Sequence, residues 1–146
     1  MGTLPYVTSF QGLVVYQKSR QLAREIFQLT TKFPVEEKYS LTDQIRRSSR
    51  SIGAQVAEAW AKRRYEKHFL SKLTDADGEQ QETQHWIEVA ADCHYITQKQ
   101  MADLVQKCEE IGRLLGGMMA KSQIFCDPNR LGEPDPIYFI TPLSSK

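Results

Sequence analysis

Apolar residues return at helical intervals through most of this chain. Val15, Ser19, Leu22, Ile26, Leu29 and Phe33 follow one another at spacings of three or four, an apolar stripe with a single polar interruption. Phe33 precedes Pro34, whose ring disfavours helical backbone at the residue before it, so the first helix is predicted to stop there. Ser40-Leu41-Thr42-Asp43 reads as a capping box, with a side-chain oxygen placed to accept from the first exposed amides. The second helix carries Leu41, Ile45, Ser48, Ile52, Val56 and Ala59 on one stripe. Ser48, Ser49, Ser51, Gly53, Ala54, Ala57 and Ala59 are small and let a neighbouring backbone approach. Gly53 costs up to about 1 kcal/mol relative to alanine inside a helix, so it is expected to serve tight packing or a local bend.

A third helix is predicted over residues 67–95. Its second half is amphipathic through Trp86, Val89, Ala90 and Cys93, continuing to Ile96. In its first half Leu73 and Ala76 lead into Gln80 and Thr83, polar positions that must be hydrogen-bonded, solvated or covered by another subunit. Thr97-Gln98-Lys99-Gln100 is a second capping box and starts the fourth helix. That helix has the cleanest pattern: Met101, Leu104, Val105, Cys108, Ile111, Leu115, Met118 and Met119, weakened only by Gly116-Gly117. Beyond residue 126 the helical period ends, and four prolines fall within the last 20 residues. This segment is expected to contribute little to the core, although Ile137, Tyr138, Phe139 and Ile140 could dock on a surface. Four long helices with short connections and no convincing strand predict an all-α, antiparallel up-down-up-down four-helix bundle with an irregular C-terminal tail. The boundaries are 1–12 for an N-terminal lead, 13–125 for the bundle and 126–146 for the tail.

Composition adds one thing to this picture, which is polarity along the middle of the chain. The 146 residues carry a net charge of +1, with 40% hydrophobic and 25% charged residues, ordinary globular values. Between residues 44 and 68, however, seven basic side chains (Arg46, Arg47, Arg50, Lys62, Arg63, Arg64, Lys67) meet two acids. Between residues 69 and 97, six acids meet only Lys72. The bland reading of the basic strip is a solvated face or ion pairs to the acidic third helix of this or another copy. The sharper one is phosphate recognition, for which the forked guanidinium is suited.

Candidate chemistry is otherwise thin. Glu82-Thr83-Gln84-His85 matches one Glu-x-x-His element of di-metal bundles, but such sites need a second element and two more glutamates. Cys93 and Cys108 sit on apolar stripes, where a free thiol behaves as a small hydrophobe. No phosphate-cradling glycine loop, nucleophile elbow or paired carboxylates stand out, so no enzyme activity, cofactor or metal is expected. Three cysteines without a CxxC pair suit a reducing cytoplasm. No stretch approaches the roughly 20 apolar residues that cross a bilayer, and no signal peptide is expected.

Tyr16-Gln17-Lys18-Ser19, then Phe33-Pro34, then Tyr39-Ser40-Leu41-Thr42 occur in that order ahead of the segment 44–59, QIRRSSRSIGAQVAEA. Together these resemble a bacterial four-helix-bundle family first noticed as reading frames in intervening sequences of large-subunit ribosomal RNA genes. Accessory proteins of diversity-generating retroelements share its fold. The family's Gln-Ile-Arg-Arg segment usually carries Asn where this chain has Gln55, and Gly where it has Ala59. The resemblance spans about residues 13–122. It implies closed homo-oligomeric rings, usually pentamers, and, in the retroelement branch, association with a reverse transcriptase and with RNA. Two readings therefore stand: a ring-forming nucleic-acid accessory factor, or an oligomeric protein scaffold whose arginines serve subunit packing.

Overall fold

The computed structural model describes residues 9–127 and 137–140. A 3-10 turn at Phe10–Gly12 leads into α1 (Val14–Thr30), and a second at Val35–Glu37 leads into α2 (Leu41–Ala61). Then come α3 (Glu66–Asp92), α4 (Gln98–Ala120) and the short α5 (Ser122–Cys126). The short connections reverse the chain at each turn. Each long helix packs on its neighbours in sequence, and α4 closes the bundle against α1. This is the predicted all-α four-helix bundle. The only β feature among the described residues is an isolated bridge between Leu13 and Phe139.

The stripes on α1, α2 and α4 face inward. Val15, Leu22 and Ile26 meet Ile45, Ile52 and Val56, with Leu104, Cys108, Ile111, Leu115 and Met118 on the far side. Full burial of each such large aliphatic side chain contributes about 1.5–3 kcal/mol. On α3 the inward face is Phe69, Leu73, Ala76, Gln80, Thr83, Ile87, Ala90 and Ala91. The expected stripe through Trp86, Val89 and Cys93 is displaced from it. Trp86 and Val89 are only half-buried, and Cys93 is exposed because α3 ends at Asp92. Gln80 and Thr83 are satisfied inside this chain. Thr83 donates to Ser48 Oγ (2.9 Å), and Gln80 donates to Asp77 (2.9 Å) while accepting from Gln84 (2.8 Å). A second subunit is therefore not needed to account for their polarity.

Two local expectations change. The first helix stops at Thr30, three residues before Phe33. The Thr30 hydroxyl turns back to Ile26 O (2.8 Å), and the chain then tightens through Phe33 N–H to Thr30 O (3.1 Å). The N-terminus of α2 is not capped by Ser40, whose hydroxyl donates instead to Glu37 Oε1 (2.7 Å). The same carboxylate oxygen accepts from Leu41 N–H at 3.3 Å, so an acid from the preceding turn takes the capping role. The Thr97–Gln100 box, by contrast, forms as predicted, with both reciprocal bonds present at 3.0 and 2.9 Å.

The largest difference lies near the C-terminus. Tyr138 and Phe139 are part of the core, at 7% and 4% exposure. Val14 N–H donates to Tyr138 O and Ile140 N–H to Gly12 O, each at 2.7 Å, which straps this segment to the start of α1. Phe139 packs on Trp60 and Phe125, and Tyr138 meets Phe125 edge-on. Gly117 makes room for the strap: a Cβ there would stand 2.2 Å from the Tyr138 hydroxyl oxygen. The glycine that weakened the fourth stripe is thus a docking position. Aromatic side chains without helical period were enough to complete the core. Residues 128–136 and 141–146 of the expected tail lie outside the described residues, as do residues 1–8 of the N-terminal lead.

Candidate nucleic-acid interface

The seven basic residues singled out on and after α2 fall into two clusters. Arg46, Arg47 and Arg50 occupy its first half, while Lys62, Arg63, Arg64 and Lys67 gather at the turn into α3. From Arg50 to Lys62 the helix rises about 18 Å, at 1.5 Å per residue. Lys62, Arg64 and Lys67 are exposed. Arg63 is only half-exposed, although it stands just past the end of a helix. Its guanidinium lies 3.9 Å from the Trp60 ring centroid and donates to Trp60 O at 2.8 Å. Burial lowers its pKa, with Cys126 acting in the opposite sense. Arg63 therefore seals the edge of the core.

In the first cluster, Arg46 is half-buried. Its Nε donates to Thr30 Oγ1 (2.8 Å), and its guanidinium lies 4.6 Å from the Phe27 ring centroid. Arg50 lies 5.7 Å from the same ring and is exposed. Arg47 is exposed and donates to Gln44 (2.8 Å). Among the described residues, no carboxylate stands within ion-pair reach of any of the seven. The ion pairs belong to other lysines: Lys18 with Glu110, Lys72 with Glu58, Lys99 with Asp103, and Lys107 with Glu25. The in-chain version of the bland reading, salt bridges from the seven basic residues to the acids of α3, is not formed among the described residues; the one bridge between α2 and α3 runs the other way, from Lys72 to Glu58.

Sequence reasoning missed two arginines. Arg20 and Arg24 of α1 are exposed and share with Arg50 a groove of about 580 Å³ between α1 and α2. Among the described residues, no carboxylate lines it. Its walls include Phe27, Tyr16, Ala23, Ala54 and Ala57, and Gly53 packs close to α1 on its floor, where a Cβ would meet the Tyr16 ring at 3.5 Å. The signal was present as a 20/24 pair on one helix face, but only the fold sets that face beside Arg50.

The opposite side of the bundle differs in kind. A groove between α3 and α4 is lined by Asp77, Glu88 and Glu109 with Gln80, Gln81, Gln84 and Arg113. Nearby, burial raises the pKa of Glu79, and Glu82 and Asp75 push it the same way against Arg47. Glu82 itself accepts from Trp86 Nε1 (3.0 Å), while His85 packs on the Trp86 ring. Among the described residues, no three metal-ligating side chains converge, and no helix is long and apolar enough to cross a membrane. Gln55, at the family's Asn position, keeps a buried side-chain oxygen without a hydrogen-bond partner among the described residues.

Fold and surface together define an all-α bundle with a cationic face on α1 and α2 and an acidic one on α3 and α4. The family model of the 23S rRNA-intervening sequence proteins matches residues 11–117, and the chain belongs to that family. It is also similar to a crystal structure described as a protein of unknown function from the S23 ribosomal protein family of Bacteroides thetaiotaomicron. That match has 33% identity and a TM-score of 0.67, and covers 73% of this chain and 96% of the other. No curated protein matched.

Proposed function

We propose that this protein is a non-enzymatic, ring-forming accessory factor of the cytoplasm that holds nucleic-acid backbone on its α1–α2 side. The observation that carries this reading is the set of exposed cations without carboxylate partners: Arg47 and Arg50 in one cluster, Lys62, Arg64 and Lys67 in the other. Leaving so many like charges together, with acids available on the adjacent helix, suits a surface that meets phosphate. Arg46 and Arg63 are bound into the fold and support the surface rather than reach from it. A ring repeats both clusters in every subunit, so weak contacts add through avidity. A reverse transcriptase as protein partner belongs to this proposal too.

A second reading has its own observation. In the α3–α4 groove Asp77, Glu88 and Glu109 outnumber Arg113, the one arginine lining it with them, and the arginines of another copy would balance them, making the protein a scaffold without nucleic acid. The two separate on one titration. A labelled structured RNA should bind at low salt and be lost steeply as salt rises, because each neutralised phosphate releases counterions. Arg47→Glu with Arg64→Glu should abolish binding while the mass in solution stays that of the wild-type oligomer. If no RNA or DNA binds at low salt, the scaffold reading replaces this one. A monomer of about 17 kDa by light scattering at micromolar concentration (the chain is 16.8 kDa) would end the ring in both.

A further inference from the structure

We infer that the α1–α2 groove takes an unpaired nucleotide, so that the protein prefers single-stranded nucleic acid to duplex. This rests on the nucleic-acid reading and extends it from the phosphates to a base. Three features meet in one place. Phe27, a large aromatic side chain, stays 40% exposed at the groove wall. Arg20, Arg24 and Arg50 stand around it with no carboxylate among the lining residues. The floor is made of small residues, Gly53, Ala54 and Ala57, which leave a space of about 580 Å³, within the usual range of about 300–1,000 Å³ for sites that enclose a small ligand.

The chemistry specifies the occupant. An exposed ring between guanidinium groups suits a flat, polarisable body, and three cations without acids suit an anion beside it. A nucleobase with its phosphates is both at once. Stacking on an aromatic ring is tolerant of base identity because every base has a π-face, and arginines over such rings add cation–π attraction. Arg46 already lies over Phe27 and is fixed to Thr30, so that wall is ordered before a ligand arrives. Arg20 lies 5.9 Å from the Tyr16 ring centroid, extending the aromatic and cationic mixture along α1. In a duplex the bases are stacked on each other and their faces are closed to this wall, so only an unpaired nucleotide can enter.

The test compares two labelled probes of equal charge at low salt, a single-stranded RNA decamer and a blunt RNA duplex, on the full chain. Phe27→Leu keeps the apolar bulk and removes the aromatic face. It should weaken single-strand binding about tenfold, the loss of one stacked base, and leave duplex binding unchanged. Phe27→Trp should retain single-strand affinity, and Arg24→Ser should lower the salt slope for the single strand by about one. Circular dichroism and light scattering confirm that each variant is folded and has the wild-type mass. Equal binding of both probes with Phe27→Leu silent would overturn the groove while leaving the backbone-binding proposal intact. Failure of both probes to bind would overturn the two together. A changed oligomer mass for Phe27→Leu would assign the groove to a contact between copies, and would equally overturn the inference.

Discussion

Where α2 turns into α3, five aromatic rings from four separate segments meet: Trp60, Phe69, Phe125, Tyr138 and Phe139. Phe125 is central, 5.9, 5.5 and 5.7 Å from Phe69, Tyr138 and Phe139. At the opposite end, where α1 turns into α2 and α3 into α4, the closure is polar and mostly local. Glu37 caps α2 and accepts from the Tyr95 hydroxyl at 2.8 Å. His94 adopts a left-handed φ of 61° so that α3 can end on two carbonyl bonds, His94 N–H to Ala91 O and Tyr95 N–H to Ala90 O. One end is held by buried area contributed across the whole chain, the other by hydrogen bonds between exposed turns. Stability should therefore be concentrated at the aromatic end, and sensitivity to pH and to single turn residues at the polar one.

The harshest challenge to that contrast is loss of the strap, in part through Phe139→Ala or whole by truncation. Removing a core aromatic ring costs about 3–5 kcal/mol through lost burial and the cavity left behind. Deleting residues 128–146 should cost more, since Tyr138 and both strap hydrogen bonds go as well. Urea denaturation at fixed protein concentration measures both, and a midpoint equal to wild type in either variant would show that the strap is dispensable. A smaller change sharpens the contrast from the other end. His94 is exposed, and a left-handed conformation costs an L-residue roughly 1–2 kcal/mol. Glycine adopts it freely but loses more chain entropy on folding, so His94→Gly should gain about 0.5–1 kcal/mol. A loss of stability there would mean that the imidazole makes a contact worth more than the backbone strain.

The same contrast explains what could be read from the sequence. Helix count, order and most core residues were legible because α1, α2 and α4 repeat apolar residues at helical spacing, and the Thr97–Gln100 box was legible because its partners lie three residues apart. The strap was not, since Tyr138 and Phe139 gain their burial from Leu13, Trp60 and Phe125, none of them near in sequence. On α3 the first half of the stripe, Leu73, Ala76, Gln80 and Thr83, was legible, but its second half was misplaced, because Trp86 and Val89 are larger than the inward-facing Ala90 and Ala91 and stand on the neighbouring face. At the candidate interface, the charges on and after α2 were visible as a run, whereas the fate of each was not. Arg63 lies over Trp60, whereas Arg20 and Arg24, which stand outside that run, border the groove.

The smallest effect belongs to the Glu37–Tyr95 bond, because both side chains remain open to solvent screening. Hydrogen bonds from Ser40, then Tyr95, then Leu41 N–H hold the Glu37 carboxyl below its ordinary pKa. A carboxylate with a depressed folded pKa contributes stability above its ordinary value, and that contribution fades as pH falls through the folded one. Tyr95 works in the other direction. Its bond to Glu37 pushes the phenol up to about 12, so its contribution is complete below the ordinary phenol range and is lost as pH rises toward the folded value. Between those limits the bond joins the turn before α2 to the turn before α4. Tyr95→Phe should therefore lower the melting temperature slightly at neutral pH and flatten both shoulders of the stability profile. The alkaline shoulder should shrink by the phenol's share, while burial of the Cys108 thiol, pushed up to about 12, keeps the rest, and the acid one should shrink by the share that Tyr95 contributes to Glu37. Melting curves of wild type and variant that stay parallel from pH 3 to pH 11 would place the pH sensitivity of the bundle elsewhere.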